Sequence, residues 1–295
     1  MSSDMAGPFV ITGASGQLGS MVLDFMLEAG ASPLIATTRS PEKLSAAAAR
    51  GIEVRAADFN QPQGLPAAFA GAKRLLLIST DDLEPGKRLT AHSAAIKAAV
   101  EAGVTHIVYT SLTRPESGSP ISFAPDHAET EAMLADSGVT HTILRNSLYT
   151  DLLLMSAPQA VGMGQLFAAA ADGKAGYVTR EDCARAAAAA LLRESETRTI
   201  DITGPASVAH ADLAAIYSEV SGKDIPYIPI SVDDLVAAMV KNGLPEMMAK
   251  VFASFDVAIA QGYFDVRSTA VNDLTGREPT SVHDFLVANK AALTG

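Results

Sequence analysis

Cysteine is nearly absent: Cys183 is the single one in 295 residues, and there is no tryptophan. One thiol rules out an internal disulfide and a thiolate metal cluster, and it fits a reducing compartment, so a cytoplasmic protein is expected. The six histidines show no HExxH or HxxxH spacing, and no metal site is expected. Basic side chains are the minority, 22 against 33 acidic, for a formal net charge of −11. Such a surface repels phosphate backbones and anionic lipid, which argues against nucleic-acid and membrane partners. Long apolar runs are missing too. The longest, at 186–192, falls far short of the roughly 18 residues needed to span a bilayer, and the first strand starts too early for a secretion signal to precede it. A soluble, unprocessed chain is expected. Aromatics are only 5% of a chain that is 48% hydrophobic, so Ala, Leu, Val and Ile must build the core.

What is present is a regular alternation. Short apolar runs at 9–12, 33–37, 53–57, 74–79, 106–111 and 141–146 are separated by segments at 17–29, 41–50, 89–102 and 125–135 whose apolar positions recur every three or four residues. Near-continuous runs such as Leu75-Leu76-Leu77-Ile78 suit strands covered on both faces. Repeated βαβ units predict an α/β fold, a Rossmann-type doubly wound parallel sheet. Beyond residue 146 the alternation loosens. A helix at 180–192, a strand at 199–203, an edge strand at 225–230 broken by Pro226 and Pro229, and helices at 210–221, 232–241 and 245–261 predict a smaller, mostly helical C-terminal lobe. The expected division is 1–150 for a dinucleotide domain, with returns near 177–204, and 151–295 mainly for a substrate lobe.

The first strand runs straight into Gly13-Ala14-Ser15-Gly16-Gln17-Leu18-Gly19 and a helical pattern follows. Small residues are needed there because a pyrophosphate must approach backbone N–H groups at a helix N-terminus, where unpaired donors and the helix dipole favour anions. Gly13 permits the turn, Gly16 the close approach and Gly19 the packing of helix on strand. At the end of the second strand, where a site for NAD places a carboxylate, the sequence reads Thr37-Thr38-Arg39-Ser40. No acid is present, and Arg39 offers a guanidinium to a 2′-phosphate, which favours NADPH. Asp58, after the third strand, either orients an adenine or caps a turn. Ser79, Thr80, Thr110, Ser111 and Asn146 fall at the carboxyl ends of successive strands, the edge where open sheets bind ligands.

GxxGxxG, Thr38-Arg39-Ser40-Pro41-Glu42-Lys43, His106-Ile107-Val108-Tyr109-Thr110-Ser111 and Leu144-Arg145-Asn146-Ser147-Leu148-Tyr149-Thr150 together resemble the NmrA-like group of atypical short-chain dehydrogenase/reductases. Within it the likeness is greatest to type 2 NADPH quinone oxidoreductases and triphenylmethane reductases, and it extends to Val178-Thr179-Arg180-Glu181-Asp182 and 274–280. The resemblance implies that Gly13 to Leu18 and Arg39 hold NADPH, that Ser79 and Thr80 line the path to the nicotinamide, that the Asn146 to Tyr149 stretch borders nicotinamide and substrate, and that Arg180 reaches the cofactor.

One family-wide feature is missing. Ordinary short-chain dehydrogenases use YxxxK, whose tyrosine donates a proton; the corresponding helix here reads His127-Ala128-Glu129-Thr130-Glu131. That departure disfavours aliphatic ketones, which need a proton as hydride arrives, and favours acceptors whose reduced form is stable without one. His127 and Glu131, four residues apart, read either as an acid with its orienting carboxylate or as a surface pair. Tyr149 reads either as a proton donor or substrate wall, or as core packing. The expected activity is hydride transfer from NADPH to a quinone or similar electron-poor aromatic, in a cleft lined by Ser111, His127, Asn146 and Tyr149 and by apolar side chains of 152–163. The rival readings are an NADP(H)-sensing regulator without catalysis and a reductase of a non-quinone aromatic intermediate. The oligomeric state is left open.

Overall fold

The computed structural model describes residues 7–84, 86–193 and 195–294. The N-terminal elements are β1 (Phe9–Ile11), α1 (Gln17–Glu28), β2 (Leu34–Thr38), α2 (Ser45–Ala49), β3 (Glu53–Ala56), α3 (Leu65–Phe69), β4 (Arg74–Leu77), α4 (Lys87–Glu101), β5 (His106–Leu112), α5 (Ala124–Asp136) and β6 (Thr140–Asn146). There follow α6 (Leu153–Met163), β7 (Leu166–Ala168), β8 (Lys174–Ala175), α7 (Arg180–Leu192), β9 (Arg198–Ile202), β10 (Val208–Ala209), α8 (His210–Ser221), β11 (Tyr227–Pro229), α9 (Val232–Lys241), α10 (Glu246–Ala260), α11 (Ala270–Thr275), α12 (Val282–Ala288) and α13 (Lys290–Thr294).

Seven strands form one parallel sheet in the order β3-β2-β1-β4-β5-β6-β9. The order reverses between β1 and β4, and that switch point is where open α/β sheets bind ligands at their carboxyl ends. The side chains alternate as a two-sided sheet requires. Phe9, Ile11, Leu76, Val108 and Leu144 pack on one face against α1 and α7, while Val10, Leu75, Leu77, Ile107, Tyr109 and Ile143 pack on the other against α3 and α4. The alanines of α7, among them Ala184, Ala187, Ala188 and Ala190, are buried, and their small side chains let α7 lie close against α1. A separate core gathers Leu148, Leu153, Tyr177, Leu213, Tyr217, Phe264 and Leu286 in the helical C-terminal part.

The expected helix at 41–50 is instead a 3₁₀ turn, Pro41–Leu44, followed by the single-turn α2. Only Leu44 is buried there, so no apolar stripe holds a longer helix to the sheet. α3 was not expected: five residues interrupted by Pro66 are too short to show a period. The edge strand expected at 225–230 shortens to β11, which pairs in parallel with β7 in a two-stranded sheet of its own. The seventh strand of the main sheet, β9, comes from beyond residue 150 and lies beside β6.

Candidate functional site

The turn between β1 and α1 is shaped by its glycines. Gly13 adopts φ +58°, a conformation that favours glycine, and its carbonyl accepts from Gly16 N at 2.9 Å. A Cβ on Gly19 would lie 2.4 Å from Gly13 O and 2.8 Å from Ala14 Cα, so helix and turn touch through backbone alone. A Cβ on Gly16 would meet the same carbonyl at 3.2 Å. Ala14 N donates to Thr37 O at 3.0 Å and Ser15 Oγ bonds Thr38 Oγ1 at 2.6 Å, tying the turn to β2. Ala14 and Leu18 are buried and offer a ligand only their backbone, whereas Gly13, Ser15, Gly16 and Gln17 face solvent. No side chain caps α1 and no acid stands in its first turn, leaving the amide end of the helix open to an anion.

Arg39, one residue past β2, is exposed and has no hydrogen bond or ion pair among the described residues. Asp58 behaves as a turn residue: Oδ1 accepts from Asn60 N at 3.0 Å and Oδ2 from Gln61 Nε2 at 3.2 Å.

At the carboxyl ends of β4, β5 and β6 the predicted polar residues meet in small groups. Ser79 N donates to Thr110 Oγ1 at 2.9 Å, and the Thr110 hydroxyl lies 3.4 Å from Ser79 Oγ. Asn146 Nδ2 donates to Tyr149 Oη at 3.2 Å, and Arg180 stacks over the Tyr149 ring at 5.0 Å. Burial pushes the Tyr149 hydroxyl above its ordinary pKa, so it stays a neutral phenol. Asp151 takes both ends of Arg180, accepting from its backbone N at 2.8 Å and lying 3.4 Å from Nη1. Four polar atoms of this region, Thr80 Oγ1, Asn146 Oδ1, Ser147 Oγ and Thr150 Oγ1, are buried without a hydrogen-bond partner. Native interiors rarely leave such atoms unpaired, and a bound polar ligand is one way to satisfy them.

His127 departs from both readings of its pairing with Glu131. The imidazole is 4% exposed, not on the surface, and its Nδ1 lies 2.7 Å from Tyr109 Oη. Glu131 turns elsewhere, taking Arg145 in a bidentate pair (Nε to Oε1 3.0 Å, Nη2 to Oε2 2.6 Å) and accepting from Ser111 Oγ at 2.6 Å. The i, i+4 spacing places both on α5, yet each finds a stronger partner on β5 or β6. Burial, with Arg88 nearby, drives the His127 pKa well below 6.5, which removes it as a proton-donating imidazolium at neutral pH. The sequence reading also missed Arg88, His92 and Tyr109, which lie around His127, and Thr130, whose hydroxyl bonds His92. Tyr109 gave a faint signal, a tyrosine next to Thr110-Ser111 at a strand end, but its apolar neighbours read as core.

The sequence profile of the NmrA-like family matches residues 6–286. The chain belongs to the NmrA-like family. Quinone oxidoreductase 2 of Escherichia coli (strain K12) is 40% identical over 92% of this NmrA-like protein and 95% of its own length. A crystal structure of an NADPH-dependent quinone oxidoreductase from Escherichia coli complexed with NADPH superposes with a TM-score of 0.90 at 38% identity, covering 95% of this chain and 99% of the other. Citrobacter sp. triphenylmethane reductase complexed with NADP(H) gives 0.89 at 34%, with 96% and 99% covered.

In this NmrA-like protein an open, mostly apolar groove of about 730 Å³ lies between α9 and α10, lined by Val232, Val236, Val240, Val257 and Pro120 among others. The apolar lining was expected from 152–163, but α6 instead buries Leu153, Ala157, Ala160 and Val161 in the C-terminal core and turns Met155 outward. Among the described residues there is no group of His, Cys, Asp or Glu arranged for a metal, and no helix is long and apolar enough to cross a membrane.

Proposed function

We propose that the protein is an NADPH-dependent oxidoreductase that passes hydride to a quinone or similarly electron-poor aromatic. The observation that carries this reading is the turn at 13–19: the backbone approach that a Cβ at Gly19 would fill, opening on a helix end with no acid, beside the unpartnered cation of Arg39. The residues fit a phosphorylated dinucleotide. Amides of 13–18 would take the pyrophosphate, Arg39 the 2′-phosphate, and the unsatisfied Thr80 and Asn146 oxygens the nicotinamide end. The likeness to enzymes named for NADPH and quinone supports the same choice.

NADPH, when bound, supplies the hydride. The protein then has to position the acceptor and steady the charge that appears on its oxygen. Ser79, Thr80, Asn146, Ser111, His127 and Tyr149 are the proposed polar wall around the reacting atoms, and Arg180 steadies the ring of Tyr149. No acid of the YxxxK type is needed, because the hydroquinone anion is a stable leaving state that takes its last proton from water.

Loss of reduced-nicotinamide absorbance, followed across a panel of quinones, cationic dyes and enones, tests the reading. Turnover with quinones or dyes and none without acceptor is expected. NADPH binding with no acceptor turned over would put the protein among regulators.

A further inference from the structure

The buried polar cluster beneath the proposed acceptor site has a direction that can be worked out from its two ends. Thr80, just past β4, has a backbone N–H that can only donate, and it donates to His92 Nε2 at 3.1 Å. The other ring nitrogen, Nδ1, lies 2.9 Å from Thr130 Oγ1, and the Thr130 hydroxyl proton goes to the carbonyl of Asp126 at 2.6 Å. A carbonyl can only accept, so Thr130 must accept from His92. Both ends therefore demand one form of His92: bare Nε2, protonated Nδ1, neutral ring. Burial agrees, bringing its pKa down to about 3.

The direction passes on to a second ring. Tyr109 Oη is 3.4 Å from His92 Nδ1 and 2.7 Å from His127 Nδ1. His92 Nδ1 carries its proton and cannot accept, so Tyr109 turns its own proton to His127 Nδ1, 2.7 Å away, in preference to Thr130 Oγ1, which already accepts from His92. A neutral His127 must then carry its proton on Nε2, and no described group accepts from that nitrogen. That leaves the Nε2 donor for a ligand or water to meet, and this nitrogen is not among the fully enclosed unpaired atoms. The groups packed around the ring are Arg88 and His92 from α4, Tyr109 from β5, Phe123 edge-on, and Asp126 of α5, itself 4.0 Å from Arg88. Phe123 also touches Phe255 of α10, which puts His127 where the sheet edge meets the C-terminal helices.

We propose that Thr80, His92, Thr130 and Tyr109 act as positioning residues that fix His127 as the Nε2–H tautomer, so that His127 meets the acceptor oxygen as a neutral hydrogen-bond donor. The role rests on the reductase reading above. No proton changes owner at His127: hydride brings two electrons to the quinone, Nε2–H steadies the resulting hydroquinone anion, and water supplies the proton that completes the hydroquinone. Neutral imidazole is suited to this because it polarises a carbonyl without having to be charged in a buried site.

Long-range proton–nitrogen NMR on the full chain labelled with ¹⁵N-histidine reads each ring's tautomer without cofactor or acceptor, and His127→Gln and His92→Gln assign the two signals. From about pH 5 to about pH 8, His127 is expected to show protonated Nε2 and bare Nδ1, and His92 the reverse. A protonated Nδ1 on His127, or its conversion to imidazolium in that range, would overturn the proposal. Tyr109→Phe should turn His127 into a mixture of tautomers and lower kcat about threefold by population, with KM for NADPH unchanged; a pure Nε2–H signal in that variant contradicts the chain. His127→Phe should cost about a hundredfold in kcat, whereas His127→Gln, whose amide keeps an N–H near the same place, should recover most of it. If the tautomers are as stated but no quinone oxidises NADPH, the donor role falls together with the reductase reading and the tautomer chain alone stands.

Discussion

At the turn of residues 13–19 the groups offered to a ligand are backbone amides, whereas at the carboxyl ends of β4, β5 and β6 they are side chains that already hold one another. The turn is set by what is missing: no Cβ at Gly13, Gly16 or Gly19, no side-chain cap and no acid in the first turn of α1. The strand ends are set by what is present, a mesh from Thr80 through His92 and Tyr109 to His127, with Glu131 gripping Arg145 and Ser111 beside it. Backbone amides do not titrate, so the turn should answer to size and not to pH. Buried histidines do titrate, so the mesh should answer to pH.

The sharpest break in that contrast is Gly19→Val. Its Cβ would overlap Gly13 O at 2.4 Å, and neither atom belongs to a flexible side chain. Overpacking of this kind costs about 1–3 kcal/mol of stability, and the displaced turn should no longer bind NADPH detectably. Urea unfolding and calorimetric titration of the variant read the two effects, and wild-type affinity would mean that the turn does not hold the cofactor.

The next effect belongs to the mesh. His92 is lowered from 6.5 to about 3 and His106, buried at the start of β5 near Arg74, to about 4. Between those values and 6.5 the unfolded chain binds protons that the folded chain refuses, so stability rises with pH and is lost as pH falls from 6.5 toward 4. The upper bound is about 1.4 kcal/mol per pH unit for each histidine. Urea midpoints at a series of pH values should fall along this window, and His92→Gln should flatten the slope. A slope unchanged by that substitution would separate His92 from the acid sensitivity.

The fold was legible because each signal came from neighbouring residues: buried strands as apolar runs and the turn as glycine spacing. The mesh was not. His92, Tyr109 and Thr130 come from a helix, a strand and another helix, and only tertiary contact makes them partners. The same reason defeated the His127–Glu131 pair, since four-residue spacing puts two side chains on one helical face but says nothing of stronger partners across it. Arg180 lacked a partner in sequence, yet Asp151, 29 residues earlier, supplies one.

The smallest effect separates the two readings of Asp58. Both of its carboxylate oxygens are taken by its own turn, so Asp58→Asn should change NADPH affinity by less than about twofold, well under the tenfold that each 1.4 kcal/mol of binding represents. A loss of tenfold or more in a calorimetric titration would return Asp58 to the cofactor.

Arg39 tests the central claim most directly, because it would add a charged side chain to the otherwise backbone-built half. The measurement is kcat/KM for NADPH and for NADH with one quinone, in the wild type and in Arg39→Asp. Wild type should favour NADPH, and the variant should lose about a hundredfold or more with NADPH, the worth of a lost charge-assisted phosphate contact plus the repulsion that replaces it, while NADH changes little. Equal losses with both cofactors, or a wild type indifferent to the 2′-phosphate, would contradict the account.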